Sequence, residues 1–431
     1  MFFLDSIKIG MLGLGTVGKG AYKIIASNAE MIDRKVGSHL EFVKILVRDQ
    51  NKDRGIDLDP NLLTTDPADI LDDPSIDIVV EVLGGIHPAM DYSLKALASG
   101  KSLVTANKDM IAEYGKELFA AAETGGADLF FEGSVGGGIP IIRPLKNCLS
   151  ANRIMEIMGI INGTTNYMLT KMTKEGSDYN QILREAQDKG YAEADPASDV
   201  EGYDAARKLA ILASIAFNTR VTLNDVYIEG ITRISAKDIE YARELNYTVK
   251  LLGIAKDTPE GIEVRVHPCF IPYSHPLASV NDVFNAIFVR GDAVGETMFY
   301  GRGAGEMPTG SAVAADIMDA ARDKLRHTQG INCTCFDHKP LKPMGSIESK
   351  YYIRIMVQDK PGVLASIAYA FGDKDVSLAS VLQKHTEGNM AEIVLVTHRV
   401  LEQNLQNAIL MVEQLSSVGK VHNIIRVEGE L

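Results

Sequence analysis

The stretch Gly13-Leu14-Gly15-Thr16-Val17-Gly18 decides the fold of the N-terminal region. It follows a short apolar run at 6–12 and leads into a helical pattern of apolar residues from Ala21 to Ile25. This order matches the dinucleotide fingerprint, whose glycines allow a tight turn, close approach of a pyrophosphate and close helix packing. The alternative is a glycine-rich turn that binds nothing. The predicted dinucleotide-binding residues are Gly13, Gly15, Thr16, Val17 and Gly18.

Strands and helices alternate beyond this stretch, as far as about residue 140. Short apolar runs suited to buried parallel strands alternate with amphipathic segments that end at glycine or polar residues. The pattern predicts an α/β fold over 1–140, with a Rossmann-type doubly wound parallel sheet. The predicted strands after the first are 42–47, 76–83, 102–105 and 128–131.

The rest of the chain predicts two further domains. Residues 141–330 mix helices and strands and are expected to form an α+β catalytic and dimerisation domain, whose helix at 308–326 should pack back on the first domain. Residues 331–349 contain prolines and no sustained periodicity, which is typical of a linker. Residues 350–431 have the order βαββαβ of a ferredoxin-like module.

The composition excludes several partners. The 431 residues carry a net charge of −13, so the chain lacks the basic footprint of nucleic-acid or anionic-membrane binding. Its longest apolar stretch, 209–217, is about half of the roughly 20 residues that span a bilayer. The segment 1–10 has no signal-peptide pattern, and we expect a cytoplasmic protein.

The chain has four cysteines, at irregular spacing, which is too few for a disulfide framework and predicts reduced thiols. Cys333 and Cys335 flank Thr334 and could form a metal or redox pair. Further cysteines or histidines at zinc spacing do not accompany them. We interpret the pair as incidental.

The densest ionisable cluster lies at 190–208. Asp204 and Lys208 are four residues apart on a predicted helix and share one face, while the preceding loop can bring Glu193 to the same site. Lys208 directly precedes the apolar run 209–217, which predicts partial burial and favours a role as proton donor. The alternative is a helix start decorated with acids, with a surface ion pair of little energetic value.

Two further basic residues lie where strands of the first domain end. Lys108 follows the strand at 102–105, at the carboxyl edge of the sheet, where it could polarise a substrate oxygen or contact a cofactor. An ordinary helix start explains the same residue. Arg48 ends the second strand, where an acid usually binds the ribose, and it favours a 2′-phosphate and hence NADP. Asp49 leaves NAD use open, and a solvated charged loop is the alternative.

The stretch from Glu132 to Pro140 combines a carboxylate with glycine-rich main-chain carbonyls. Oxygen ligands of this kind suit a hard cation, although a structural turn explains the stretch equally well.

Taken together, these stretches resemble the homoserine dehydrogenase family over about the first 330 residues, and the tail at 357–364 resembles an ACT domain. Because the chain starts at the dinucleotide domain, the form that it resembles is expected to be the monofunctional one, without a kinase region. The stretches that carry the resemblance are 13–18, 81–85, 104–108, 132–140, 161–166, 190–208 and 300–305.

The resemblance implies NAD(P)-dependent interconversion of L-homoserine and L-aspartate 4-semialdehyde, the branch step toward threonine, methionine and isoleucine. It implies that Glu193 and Asp204 hold the amino and hydroxyl groups of homoserine. Lys208 would donate the proton to the nascent alkoxide, and Lys108 would assist or share that role.

The resemblance also implies ligands beyond the substrate. A sodium ion would be bound at Glu132, Val135, Gly137 and Ile139, and Gly190 and Gly303 would close on NADP or NAD. The family assembles as a homo-oligomer, so a dimer or tetramer is expected. The ACT domain implies feedback by L-threonine, and a module that serves only assembly is the alternative.

Two other functions fit parts of the same pattern. Another amino-acid-linked oxidoreductase, such as aspartate dehydrogenase or aspartate-semialdehyde dehydrogenase, could share the fold. The latter needs a thiol nucleophile, and Cys148 lies in no reactive-looking setting. A non-catalytic amino-acid sensor on a dehydrogenase scaffold is the second alternative, which the intact Lys108 and Lys208 disfavour.

Overall fold

The computed structural model describes residues 6–429, except for the side chains of 384–387. The first five residues, part of the segment on which the targeting prediction rests, lie outside this range. The contacts divide the chain into two compact units: 1–155, 207–225 and 285–338 form the first, and 156–206, 226–284 and 339–431 form the second. Within 6–429, no helix combines the length and apolar character needed to cross a bilayer.

Along residues 6–429, helices and strands alternate in some stretches and follow one another in others. The strands are β1 (Ser6–Leu12), β2 (His39–Leu46), β3 (Leu63–Thr64), β4 (Ile78–Glu81), β5 (Ser102–Thr105), β6 (Leu129–Phe130), β7 (Ile154–Ile160), β8 (Tyr227–Ile228), β9 (Tyr247–Thr258), β10 (Gly261–Pro272), β11 (Phe284–Gly291), β12 (Gly295–Arg302), β13 (Glu348–Gln358), β14 (Leu378–Glu387), β15 (Met390–Thr397), β16 (Val400–Leu401) and β17 (Val418–Val427). The helices are α1 (Thr16–Ser27), α2 (Ala29–Val36), α3 (Ala68–Leu71), α4 (Ala89–Ala98), α5 (Lys108–Gly125), α6 (Gly163–Glu175), α7 (Tyr179–Asp188), α8 (Ala197–Val200), α9 (Tyr203–Ala216), α10 (Ala236–Glu244), α11 (Glu306–Arg326), α12 (Val363–Gly372) and α13 (Glu402–Glu413).

The sheet of the first unit has six parallel strands in the order β3-β2-β1-β4-β5-β6. The central strands are apolar and buried on both faces, as the continuous run at 78–81 shows. This is the strand order of dinucleotide-binding domains, and it confirms the predicted doubly wound parallel sheet. The order reverses between β1 and β4, which is where such sheets bind their ligands.

Helix α11, far along the chain, packs against α1 in the same unit. The two helices approach at glycines: a Cβ atom at Gly20 would lie 1.9 Å from the carbonyl oxygen of Glu306, and one at Gly310 would lie 2.5 Å from the carbonyl carbon of Gly20. Val313 and Ile317 of α11 are fully buried in the core of the parallel sheet. The helix therefore completes the dinucleotide-binding domain, as its apolar face requires.

The sheet of the second unit runs β7-β9-β10-β17-β13-β15-β14, with β8 beside β10 and β16 beside β13. The C-terminal elements follow the predicted βαββαβ order, and their strands pair as β17-β13-β15-β14, the ferredoxin-like arrangement. Strand β17 also pairs in parallel with β10 through Cys269 and Phe270. The C-terminal module thus shares a sheet with the preceding strands of its unit.

Part of the predicted linker is likewise paired. Leu341 forms a bridge with Ile262 of β10, and the N–H of Ile262 donates to the carbonyl of Pro340 at 2.8 Å. Because prolines prevent a regular strand, the segment carries no periodicity in sequence although it is hydrogen-bonded in the fold.

Candidate active site

A cavity of about 760 Å³ lies where β1, β2 and β4 end. Gly13 has φ +103°, and a Cβ atom there would lie 2.9 Å from the carbonyl oxygen of Val82, while a Cβ at Gly15 would meet nothing within 4 Å. A Cβ at Gly18 would lie 2.5 Å from the carbonyl oxygen of Gly13. Gly13 and Gly18 therefore lie where a side chain would clash, as the fingerprint requires. Gly15 leaves the backbone accessible from the cavity.

The N-terminus of α1 faces the same cavity, which is lined by Gly15, Thr16 and Lys19. Among the side chains that the structure describes, none caps this helix start, and its first turn contains no acidic residue. Main-chain N–H groups at such a position bind phosphate, helped by the helix dipole. The geometry fits the pyrophosphate of a dinucleotide.

Arg48 lies exposed on the lining of this cavity, just beyond the end of β2. Arg54, nearby in sequence, donates to the carbonyl oxygens of Lys52 and Asp49 and so braces the loop. The cavity thus has a basic rim beyond the end of β2, with Asp49 on the same lining.

Lys108 opens α5 and is positioned by a chain of hydrogen bonds at the ends of β4 and β5. Thr105 Oγ1 donates to Glu81 Oε2 at 2.7 Å and accepts from the N–H of Asn107 at 3.0 Å. Asn107 caps the helix through Met110 N and donates to the carbonyl of Gly85 at 2.6 Å. Burial raises the pKa of Glu81, and these hydrogen bonds oppose that effect. The start of α5 is therefore held rigidly.

Lys208 lies on α9 and, like Lys108, is half-buried. The ion pair between Arg207 Nε and Asp109 Oδ1, at 2.9 Å, joins α9 to the first turn of α5. Arg207 and Asp109 each directly neighbour one of the two lysines in sequence. The structure therefore brings Lys108 and Lys208 to one region of the first unit.

The second unit contains the acidic candidates. Asp204 is 3% exposed and accepts from Asn162 Nδ2 at 2.9 Å, while the same amide donates to Asp199 Oδ1 at 2.7 Å. Glu193 is exposed, and its carbonyl accepts from Gln187 Nε2 at 3.1 Å.

Gly190 lies just after α7, with φ +71°, and is exposed. Its N–H donates to the carbonyl of Gln187 at 2.9 Å, which closes the end of the helix. A Cβ atom at Gly190 would meet nothing within 4 Å, so its surroundings are open.

The Glu132 carboxylate has a structural use that the sequence did not predict. It accepts from the N–H groups of Ile141 at 2.6 Å, Ile142 at 2.8 Å and Arg143 at 2.8 Å. Its own N–H donates to Asp316 of α11 at 2.8 Å. The carboxylate is thus engaged in hydrogen bonds within this turn. The main-chain carbonyl oxygens of the stretch are the remaining candidate ligands for a cation.

A buried amide lies beside this turn. No hydrogen-bond partner for either polar atom of the Asn285 side chain is found within the described residues. A Cβ at Gly303 would lie 2.2 Å from Asn285 Nδ2, and one at Gly137 would lie 2.4 Å from the carbonyl oxygen of Gly303. Buried side-chain amides without any partner are rare in folded proteins.

Family models match the chain in three parts. Residues 13–132 match the homoserine dehydrogenase NAD-binding domain, 140–318 match homoserine dehydrogenase, and 351–414 match the ACT domain. The chain belongs to the homoserine dehydrogenase family. The resemblance found in the sequence is confirmed, and the chain is an oxidoreductase with an NAD(P)-binding domain.

Individual members of the family match nearly the full chain. A homoserine dehydrogenase of Bacillus subtilis (strain 168) is 45% identical over 429 residues, with 99% of each chain covered. The crystal structure of one from Thiobacillus denitrificans gives a TM-score of 0.94 at 44% identity, with 99% of both chains covered. A hyperthermophilic archaeal homoserine dehydrogenase in complex with NADPH gives a TM-score of 0.63 at 28% identity and covers 76% of this chain and 100% of its own.

Several residues of the site escaped the sequence analysis. Asn162 and Asn107 are asparagines whose roles depend on partners distant in sequence. Asn285 is found only through the burial of its side-chain amide in the fold. The only local signal was the position of Asn107 and Asn162 directly before a helix, where asparagine commonly caps.

We predict that Asn162→Ala lowers the free energy of unfolding by about 1–2 kcal/mol, because it removes both a helix cap and the amide between two carboxylates. Asn162→Asp keeps a capping oxygen but adds a third negative charge to the two carboxylates. The decrease in the free energy of unfolding that it causes should therefore become smaller as pH falls and the carboxylates become protonated. Urea unfolding measures both. Asn180→Ala, on the exposed first turn of α7, is the matched control and should change stability little.

Proposed function

We propose that the chain catalyses the reversible NAD(P)-dependent reduction of L-aspartate 4-semialdehyde to L-homoserine, on the route to threonine, methionine and isoleucine. The observation that carries this proposal is the Arg207–Asp109 ion pair, which joins the two lysine-bearing helices α5 and α9. A carbonyl reduction needs an acid at the oxygen, and lysine can supply it. Membership in the family supports the aldehyde of the semialdehyde as this carbonyl.

In this proposal each candidate residue has one task. When bound, the nicotinamide supplies the hydride for the aldehyde carbon. Lys208 donates the proton to the nascent alkoxide, and Lys108 assists or shares this role. Glu193 and Asp204 hold the amino and hydroxyl groups, so that the substrate lies in one orientation.

The proposed cofactor is NADP, and NAD is the alternative cofactor. Gly13, Gly15, Thr16, Val17 and Gly18 would hold the pyrophosphate, and Arg48 would pair with the 2′-phosphate through its planar guanidinium. The other proposed cofactor-binding residues are Lys108, Gly190 and Gly303. The basic rim of the cavity supports this preference, as does the NADPH complex of the archaeal relative.

A sodium ion is proposed at the turn after β6. The main-chain carbonyls of Glu132, Val135, Gly137 and Ile139 would hold it, because the Glu132 carboxylate already accepts three N–H groups. Carbonyl oxygens suit a hard cation. The unsatisfied Asn285 amide beside Gly303 and Gly137 supports a bound polar group there.

The ACT domain is proposed to bind L-threonine and to inhibit the reaction. The chain is also proposed to form a homo-oligomer, either a dimer or a tetramer. Its proposed location is the cytoplasm. The ACT match and its shared sheet with β10 support a regulatory role, since an effector there would act on a strand of the substrate-binding unit.

We predict that Lys208→Ala lowers kcat/KM by about 10²- to 10⁴-fold, because a positioned acid contributes that much. The assay follows reduced nicotinamide with L-homoserine, and circular dichroism checks the fold. Lys108→Ala should also lose activity, while Lys116→Ala, on the exposed face of the same helix, should not. If the folded wild type shows no turnover with either cofactor, the chain is a sensor rather than an enzyme.

We predict that Arg48→Ala lowers kcat/KM for NADP by about 10- to 100-fold and leaves that for NAD within about twofold, because only the 2′-phosphate loses a charge-assisted partner. Initial rates with each cofactor measure this change. Arg34→Ala, at an exposed ion pair on α2, is the control. An equal loss with both cofactors would contradict the assignment of Arg48.

We predict that L-threonine lowers the rate of homoserine oxidation in a saturable manner, whereas D-threonine at the same concentration does not. Stereospecific inhibition is expected from a formed binding site and not from ionic or solvent effects. If neither enantiomer changes the rate, the ACT domain serves assembly alone, which size-exclusion chromatography at several protein concentrations would then reveal.

A further inference from the structure

Two thiols lie together in the segment that follows α11. Cys333 is exposed and Cys335 is half-buried, with Thr334 between them. The Cys335 Sγ lies 3.7 Å from the carbonyl oxygen of Ser214 on α9, and both cysteines line one small cavity. All of these residues belong to the first unit. The pair that seemed incidental in the sequence is therefore an organised dithiol.

Arg220 is held against this dithiol. Its Nη2 lies 3.5 Å from Cys333 Sγ, and its Nε is buried, with no hydrogen-bond partner found between residues 6 and 429. Gly115 of α5 makes room for the guanidinium, since a Cβ there would lie 2.8 Å from Nη1. A thiolate at Cys333 would satisfy the charge of this arginine.

Lys146 supplies a second positive charge to the same small cavity, which it lines together with both cysteines and Arg220. Its Nζ lies 5.3 Å from the ring centroid of Phe119 and 5.4 Å from that of Phe131, and it donates to the carbonyl of Ile331 at 2.6 Å. These contacts fix both the lysine and the chain just before Cys333.

The surroundings favour a thiolate at one cysteine and a thiol at the other. The hydrogen bond from Cys335, with the charges of Arg220 and Lys146, lowers the pKa of Cys333 to about 5. The same hydrogen bond and burial raise the pKa of Cys335. Burial lowers the pKa of Lys146 to about 8, which still leaves it mostly charged at neutral pH. A low-pKa, accessible thiolate beside a second thiol is the arrangement of redox-sensing cysteines.

We propose that Cys333 and Cys335 form a reversible oxidation site, with hydroperoxides as the oxidant. The Cys333 thiolate attacks a peroxide oxygen, the O–O bond breaks, and Cys333 becomes a sulfenic acid while the leaving oxygen departs as hydroxide or alkoxide. The Cys335 sulfur then attacks the Cys333 sulfur, a disulfide forms, and the hydroxyl leaves as water with the thiol proton. The peroxide is reduced, the two thiols are oxidised, and an external dithiol reverses the change.

Metal binding by this pair, and oxidation at the other two cysteines, have less support from the structure. Among residues 6–429, no group of three or more histidine, cysteine or acidic side chains could hold a metal ion. Cys269 is fully buried, and burial raises the pKa of its thiol well above the usual value. Cys148 is exposed but does not line this cavity, and it serves as the internal control.

The test treats the reduced full-length protein with a small excess of hydrogen peroxide and maps thiols by peptide mass spectrometry. We expect a Cys333–Cys335 disulfide, restored to thiols by dithiothreitol, with Cys148 unmodified. In Cys335→Ser the oxidation should stop at a sulfenic acid that dimedone traps on Cys333. Cys148→Ser should behave as wild type. Thiols that stay reduced, or a disulfide between two chains at Cys333, would overturn the proposal.

A second measurement compares two cysteines within the wild-type protein and then adds one variant. Limited iodoacetamide labelling of the wild type at pH 6 should modify Cys333 at least about tenfold faster than Cys148, because the thiolate is the nucleophile and Arg220 and Lys146 favour it at Cys333. Arg220→Lys keeps one charge but loses the planar guanidinium, and it should slow labelling of Cys333 without changing that of Cys148. Equal rates at the two cysteines in the wild type would show that the cluster does not activate Cys333.

Discussion

The contact of α1 with α11 is the constraint on which the first unit depends. Because Gly20 and Gly310 have no side chains, the two helix backbones approach closely, and Glu306 at the start of α11 pairs with Lys23 at 2.6 Å. The same helix carries Asp316, which accepts from the N–H of Glu132 and from Arg143. Helix α11 therefore contacts both α1 and the turn after β6 that is proposed to bind a cation.

The second unit depends on a different interaction, a set of buried ion pairs. Burial opposes ionisation, yet the charge of Arg265 holds the pKa of Glu428 well below its usual value. Such pairs add little net stability but leave a costly unpaired charge when one partner is lost. Because Glu428 directly follows β17 and Arg265 belongs to β10, they fix the ACT strands against the substrate-domain sheet. The buried pairs are Arg265 with Glu263 and Glu428, Arg354 with Asp238 and Glu392, and Arg426 with Glu402. Arg426 also pairs with Glu229, which is partly exposed.

Helix α9 links the chemistry of the first unit to the dithiol. Arg207 joins its early part to α5 beside Lys108, and the carbonyl of Ser214, near its other end, accepts from the Cys335 thiol. The proposed oxidation site and the proposed acid therefore contact the same helix.

Much of this molecule was determined by short-range sequence signals. The spacing of Gly13, Gly15 and Gly18 determined the turn, and buried apolar runs determined the parallel strands, because both depend only on residues near in sequence. Strand pairing between β10 and β17, the Arg207–Asp109 ion pair, and the use of the Glu132 carboxylate by Ile141 and its neighbours were decided only in the tertiary structure. The cysteines show the reason most clearly: Cys333 and Cys335 are two residues apart, but their chemistry depends on Arg220 and Lys146, which folding brings from more than a hundred residues away.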